Sequence, residues 1–504
     1  MLCLLVVVVM ATVPSSALAQ EQIPPPTSSF RLETRCCPVK GLENKYPVKG
    51  TVYMYTSDPE GPVDWPVIIT DGFDHGNMRT WNSAAPDDLS LYQYFNQSGM
   101  IEKGKEAGID FFILDFDGGS SLIQFNGHLL IELINWINAR NPQRELVVLG
   151  PSMGGLVARY SLAFMESQGM WHNTRLFISF DTPHVGANIP LGLQDFVWFF
   201  SHQFSVLRGP NPTAVANLQA LNSPAARQML VLHYDHPPGQ GASNERFTLI
   251  EHFRQLGNYP QLLRKVAISN GSGTGVGQSF SPRERLFHWN HKSVKATINA
   301  EVWALPNQPL GGAPVLIVKA EARGFEHLDP AGVKRTVRST HPWDNSPGGT
   351  RPSLLEALKG TKDFCCAQAD HPSHTFVPTI SALDINTSDL FFNVKAAGKS
   401  IYDLTPFDKL YYPSENEKHM LISEVTAQRM LNEIFCSPPQ TSNWNINLDC
   451  TIEDSLIAPA DLIVEGNATL TIVEGGVVDL DFPNHRLRVT PGSKLVVKPG
   501  GSIK

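Results

Sequence analysis

The chain has 504 residues, enough for a full-sized core and too many for one typical domain. Its formal net charge is −8, charged residues make up only 17%, and no block of lysine or arginine interrupts it. The basic footprint of a nucleic-acid partner is therefore missing, and none is expected.

Residues 1–19 read as an export signal, because a short apolar run is followed by Ala17-Leu18-Ala19, a small-x-small cleavage pattern. The run is too short to span a bilayer unaided, and no later segment reaches spanning length. The mature protein is thus expected to be soluble and secreted, periplasmic or held at the cell surface. Six cysteines remain after cleavage, an even number that fits disulfides in an exported chain. Cys436 with Cys450 is the favoured pair because it closes a short loop at a domain junction, whereas the doublets Cys36-Cys37 and Cys365-Cys366 leave their pairing open.

Residues 20–64 are rich in proline and turn formers and read as an extended arm or edge hairpin. From 65 to 436 strands and helices alternate. Val67-Ile68-Ile69 is a buried-type strand leading into Thr70-Asp71-Gly72-Phe73-Asp74, and 87–95 is compatible with a helix. A second strand spans 109–114, a helix 122–137, a third strand 146–149, a helix 156–165 and a fourth strand 176–180. Alternation of this kind implies right-handed crossovers and a mainly parallel sheet covered on both faces. Residues 190–260 read as a cap that opens on the aromatic stretch 191–204, and about 290–345 as a β-rich insertion. Strands at 265–269 and 409–412 and an amphipathic helix at 422–435 return to the main pattern. Residues 443–504 carry short valine, leucine and isoleucine strands punctuated by glycine, phased like the rungs of a small β-solenoid or roll. Asn-x-Ser/Thr acceptor sites stand at Asn96, Asn270, Asn386 and Asn467.

The chemistry centres on Gly150-Pro151-Ser152-Met153-Gly154. A bare G-x-S-x-G is a weak signal, but here a buried strand enters it and a helix leaves it, the strand-turn-helix setting of a nucleophile elbow. Small neighbours are needed because the serine occupies a strained backbone conformation against strand and helix. The alternative is a serine that only caps the helix. An oxyanion needs two backbone donors, and the strand-then-loop order of VIITDGFDHG supplies the second, so the amides of Phe73 and Met153 are assigned to the oxyanion hole.

With the elbow, the Gly-Phe loop and Thr182-Pro183-His184-x-Gly186-Ala187 on the page, the chain resembles α/β-hydrolases of the lipase and esterase group over roughly residues 65–435. Together with FVPTISALD and NEKHMLIS, it also resembles exported bacterial esterase/lipase-like proteins. The resemblance implies the order serine, acid, histidine. His419, after the strand at 409–412 and before the last helix, fits the base, with His371 and His374 as rivals; at i,i+3 these two also form a conceivable metal pair. His184 is taken as structural. The stretch His374-Thr375-Phe376-Val377-Pro378 lacks the carboxylate that lipase-like chains commonly carry there. Asp181, which ends the strand at 176–180, is therefore favoured as the acid, since some lipases take theirs from that place. Asp370 is the alternative, and Asp344 and Asp384 follow.

These residues imply an exported serine hydrolase that cleaves carboxylic esters, with a lean towards lipid-like acyl esters from the Phe and Trp residues of 191–204, which suit an acyl pocket or a peripheral lipid contact and equally an amphipathic helix packed on the sheet. The alternatives are a catalytically impaired surface binding or adhesion protein whose C-terminal module holds a cell surface, and a peptidase or amidase on the same core. No cofactor and no metal are expected.

Overall fold

The computed structural model describes residues 23–504 apart from 35–37, 40–41, 44–46, 84–88, 203, 206–208, 211, 239, 241, 293–295, 310, 325–331, 359–366 and 483. The stretch 1–19 read as an export signal and all four cysteines of the two doublets lie outside the described residues.

Eight strands build the main sheet: β1 (Ser28–Thr34), β2 (Val48–Tyr55), β3 (Trp65–Thr70), β4 (Ile109–Phe116), β5 (Leu146–Pro151), β6 (Thr174–Phe180), β7 (Arg264–Ile268) and β8 (Lys409–Tyr411). Their order is β1-β2-β4-β3-β5-β6-β7-β8. β1 and β2 run antiparallel as an edge hairpin, and every pairing from β3 to β8 is parallel. The arm at 20–64 thus contributes two strands to the sheet. Strands covered on both faces read as near-continuous apolar runs. In β4, Phe112, Leu114 and Phe116 enter the core on one side while Ile109, Phe111 and Ile113 enter the other.

The first of these cores is filled by α1 (Ile123–Arg140) and α2 (Met153–Ser167). The opposite core takes the short helices Leu91–Phe95 and Met100–Glu106 together with a helix near the chain's end, Glu424–Cys436. The helix read at 87–95 in fact starts at Leu91, where Ser90 caps it with a reciprocal bond from Gln93.

The aromatic stretch follows the packed-helix reading rather than the lipid-facing one. It forms a helix, Leu191–Ser201, and its Phe196, Phe199 and Phe200 are buried rather than presented to lipid. They pack on an inserted antiparallel sheet built from Arg285–Lys292, Ala296–Trp303, Val315–Gly324, Gly332–Val337 and Ala367–Ala369. Gly192 lets the two surfaces close: a Cβ there would sit 2.4 Å from the Ile317 carbonyl oxygen.

The C-terminal strands wind as a three-sided solenoid of parallel rungs. Trp444–Ile446, Leu462–Val464 and Leu487–Val489 stack as one face; Cys450–Ile452, Thr469–Ile472 and Lys494–Val497 as the second; Ser455–Ile457, Val477–Asp479 and Ser502–Ile503 as the third. Each inward position sits over an apolar side chain of the next rung, as in Cys450, Leu470 and Leu495, so one narrow core runs through the stack. This module docks at the N-terminal starts of β6 and β7. Gln440 Nε2 donates to the Thr174 carbonyl at 2.7 Å, and Arg264 pairs with Asp454 at 2.7 Å and Glu433 at 3.2 Å. A disulfide joins Cys436 to Cys450 across 14 positions, with Cα atoms 5.5 Å apart.

Closing a loop of that length is worth about 3 kcal/mol. The double variant Cys436→Ser/Cys450→Ser is therefore expected to lose roughly that much stability in denaturant titrations of the oxidised chain. An unchanged unfolding midpoint contradicts a stapling role for this bridge.

Candidate active site

The sequence places an apolar strand against a helix with only Gly150-Pro151-Ser152 between them, and the turn this forces is tight. Ser152 sits at φ 51° and ψ −127°, and its side chain makes no cap bond to α2, which sets aside the capping reading. Its amide donates to the Phe180 carbonyl at 2.8 Å, tying the turn to β6. Glycine is required on either side by contact rather than by flexibility. A Cβ at Gly150 would lie 2.5 Å from the Gly155 Cα, and one at Gly154 would lie 2.6 Å from the Asp71 carbonyl oxygen. Both are backbone collisions that no rotamer relieves.

Parallel strands end at the same edge, so the residues following β5, β6 and β8 converge there. His419 Nε2 lies 2.9 Å from Ser152 Oγ, and His419 Nδ1 lies 2.7 Å from Asp181 Oδ2. Asp181 is fully buried at φ 43° and its other oxygen accepts the Asn270 amide at 2.9 Å. Two acceptor contacts thus hold the carboxylate in one orientation, and the carboxylate fixes the imidazole with Nδ1 protonated and Nε2 facing the hydroxyl. The His419 amide donates to the Thr350 carbonyl at 2.8 Å, and the ring meets Phe376 edge to face at 4.9 Å.

Phe376 explains the missing carboxylate of the 374–378 stretch. That stretch is a strand, His374–Pro378, paired with Gly348–Arg351, and the small sheet so formed covers the Asp181 and His419 side chains. A Cβ at Gly349 would touch Asp181 Oδ2 at 2.1 Å, so the 348–351 strand covers the acid while Phe376 of its partner strand covers the imidazole.

The alternative acids are corrected by their partners. Asp370 accepts from Arg285 Nε at 2.7 Å and contacts His288 Nδ1 at 3.2 Å, on the inserted sheet. Asp344 accepts from Asn188 and from the Leu305 amide, and Asp384 binds the Tyr259 hydroxyl. The rival bases are likewise engaged elsewhere. His371 pairs with Glu284 at 2.9 Å, and buried His374 donates from Nδ1 to the Thr375 carbonyl at 2.7 Å. With those partners the two do not form a metal pair. His184 is half-buried, bonds Ser179 Oγ at 2.8 Å, and is held well below its ordinary pKa by desolvation and by Arg159.

The loop after β3 lies against the serine: a Cβ on Gly72 would sit 3.6 Å from Ser152 Cβ. The Gly72 amide is taken by Asp71 Oδ1 at 2.7 Å, while the amides of Phe73 and Met153 have no hydrogen-bond partner among the described residues. Arg79, which sequence reading passed over, clamps this loop from behind by donating to the Phe73 carbonyl at 2.7 Å and pairing with Asp71 at 3.5 Å. Asn270 and Asn416 were also missed. Asn270 is fully buried and its side chain donates to Glu417 and to the Leu421 carbonyl, so the acceptor site read there is closed to glycosylation in the fold. Asn416 accepts from the Ser272 and Gly348 amides. Both brace the loop that carries His419, and the sequence signal for that role is their place just beyond the strands β7 and β8.

Comparison with known proteins adds four likenesses. Residues 63–205 match the family described as PGAP1-like alpha/beta domain. A stretch of 122 residues is 30% identical to a GPI inositol-deacylase of Candida albicans; it covers 22% of this chain and only 30% of that relative. Among solved structures, the mature lipase BlEst2 of Bacillus licheniformis is 16% identical with a TM-score of 0.28, over 44% of this chain and 72% of that one. An esterase of Pyrobaculum calidifontis is 11% identical with a TM-score of 0.26, over 48% and 67%.

Behind the loop at 71–74, Asp115 is pushed up to about 8, chiefly by burial and then by Asp71, Asp74 and Asp117. An unfolded aspartate ionises near 3.9. The folded chain therefore holds an extra proton between those values, and stability falls as pH rises from about 4 to about 8. Asp115→Asn removes this slope, so its melting temperature is expected to vary less across that window than that of the parent; parallel profiles contradict the assignment.

Proposed function

Taking the chain as an α/β-hydrolase of the lipase and esterase group, we propose that it is an exported serine hydrolase of carboxylic esters with Ser152, His419 and Asp181 as its triad. The observation that carries this reading is the unbroken relay from a buried carboxylate through one imidazole to a strained serine. Ser152 Oγ attacks the acyl carbonyl as His419 Nε2 takes its proton. The Phe73 and Met153 amides receive the oxyanion. Collapse expels the alcohol, which takes the proton back from His419, and water then resolves the acyl-enzyme by the same steps. Asp181 stays ionised throughout and stabilises the imidazolium that forms between them.

The substrate class is an acyl ester of lipid character. A narrower reading, an acyl group carried on an inositol glycolipid, is favoured by the similarity to the Candida albicans GPI inositol-deacylase. It is distinguished by offering acyl-inositol lipids beside simple acyl esters and comparing kcat/KM. Among the described residues no helix is long and apolar enough to cross a membrane.

Ser152→Ala is expected to abolish turnover of a chromogenic acyl ester, and Asp181→Asn to lower kcat by about 10⁴-fold through the wrong imidazole tautomer. Asp370→Asn is expected to retain activity. Equal rates in the parent and Ser152→Ala point instead to a binding protein on a hydrolase core, and activity on amides alone points to a peptidase.

A further inference from the structure

A second cluster of ligand-type side chains lies outside this site, in the loop His233-Tyr234-Asp235-His236 that follows the helix Pro224–Met229. One nitrogen of each histidine and one oxygen of Asp235 lie within 4.8 Å of one another. His236 Nδ1 is 2.8 Å from Asp235 Oδ1, and His233 Nδ1 contacts the same oxygen. The His233 side chain is almost entirely buried, whereas His236 and Asp235 are about a third exposed.

The hydrogen-bond inventory of His233 is what singles the cluster out. Its Nε2 faces the Leu221 carbonyl at 3.1 Å, an acceptor with nothing to donate, so Nε2 carries the ring's proton. In a neutral imidazole Nδ1 then holds a lone pair, which the Asp235 amide reaches only at 3.5 Å and which is aimed at a carboxylate oxygen. Two acceptors in contact repel unless a second ring proton or a metal cation stands between them. The outer contact has the form expected around a ligating histidine, whose second nitrogen donates to a backbone carbonyl and so fixes tautomer and ring orientation. The carboxylate is oriented in the same way: Arg227 Nη2 donates to Asp235 Oδ2 at 2.5 Å and to Asn222 Oδ1 at 2.8 Å, leaving Oδ1 turned towards the two rings.

The geometry points to a structural divalent-metal site on His233 Nδ1, Asp235 Oδ1 and His236 Nδ1, of the nitrogen-rich kind that suits Zn²⁺, with solvent completing the coordination at the exposed side. Imidazole and carboxylate donors favour Zn²⁺ over the oxygen-seeking Ca²⁺ and Mg²⁺. Binding replaces the contacts to Asp235 Oδ1 with bonds of about 2.0–2.2 Å to the ion.

The site's position gives it a task. Val231 donates to the Ala187 carbonyl at 2.9 Å, which ties the loop to the segment running on from Asp181. The Tyr234 amide donates to Gln194 Oε1 at 3.0 Å, and Arg335 donates to the Tyr234 carbonyl at 2.7 Å from the inserted sheet. A metal here fixes the joint between the cap helices, the inserted sheet and the loop leading from β6. It contributes rigidity and no step of the ester chemistry, so it stands or falls independently of the triad.

The test is Zn²⁺ titration of the oxidised full chain after chelator treatment, read by calorimetry and by melting temperature. Co²⁺ absorption serves as a second readout. One site per chain, a raised melting temperature and visible Co²⁺ bands without a thiolate charge-transfer band are expected. His236→Ala and Asp235→Asn alter exposed loop positions and should fold; each is expected to weaken Zn²⁺ binding beyond the roughly 100-fold that loss of an outer partner costs. Zn²⁺ binding equal in parent and variants, or no binding at micromolar Zn²⁺ with an unmoved melting temperature, overturns the site and leaves an imidazolium–carboxylate pair in its place.

Discussion

Everything at the candidate active site depends on parallel strands ending at a common edge. Ser152 and His419 are 267 positions apart and Asp181 and His419 are 238 apart, yet each stands one loop beyond a strand of the same sheet. The strand pairings therefore do the long-range work, and only short loops remain to be aimed. Those loops are aimed by hydrogen bonds to backbone and by contact. The Phe180 carbonyl holds the serine turn, the Asn270 amide holds Asp181, and the Thr350 carbonyl holds the segment bearing His419. Two of these loops carry strained residues, Ser152 and Asp181, each at positive φ. Strain of this kind persists only where the surroundings over-determine the conformation, as the glycine contacts around the elbow do.

The remaining modules are arranged so that they leave this edge alone. The solenoid docks at the strand starts of β6 and β7, and with seven residues in β6 it lies roughly 20 Å from the catalytic edge. Its anchoring is mixed: a disulfide, a largely buried arginine held by two carboxylates, and bonds from the Gln440 side chain to backbone carbonyls. The inserted sheet and the helix Leu191–Ser201 seal each other through aromatic packing. The 348–351 and 374–378 strands are the parts of the insertion region that reach the site, and they do so as a cover over Asp181 and His419.

How much of this was legible in the sequence follows from how local each feature is. The buried runs of β3 to β6 and the glycines of the elbow state their own environment, because a strand covered on both faces can hold little but apolar residues. The solenoid is legible for the same reason, through repetition. His419 and Asp181 were reachable because strand order fixes which loops meet. The aromatic stretch left two readings open because five Phe and Trp residues look alike whether they face lipid or a neighbouring sheet, and the partner surface lies more than 80 positions later in the chain. Asp370 stayed a candidate until its ion pair with Arg285 appeared, since one-dimensional order says nothing about which cation a carboxylate meets. Arg79 and Asn416 carry no motif, and the Asn-x-Ser motif at Asn270 says nothing of its bracing role; all three act through groups that only the folded chain brings to them.

The central claim is that Ser152 is an activated nucleophile and not a turn serine. It is tested most directly by exposing the chain to a fluorophosphonate and mapping the adduct by peptide mass spectrometry. The account predicts one adduct per chain, on the peptide carrying Ser152, and its loss in a His419→Ala variant that keeps the parent's melting temperature. An unlabelled Ser152, or labelling that persists at the same rate without the imidazole, contradicts it.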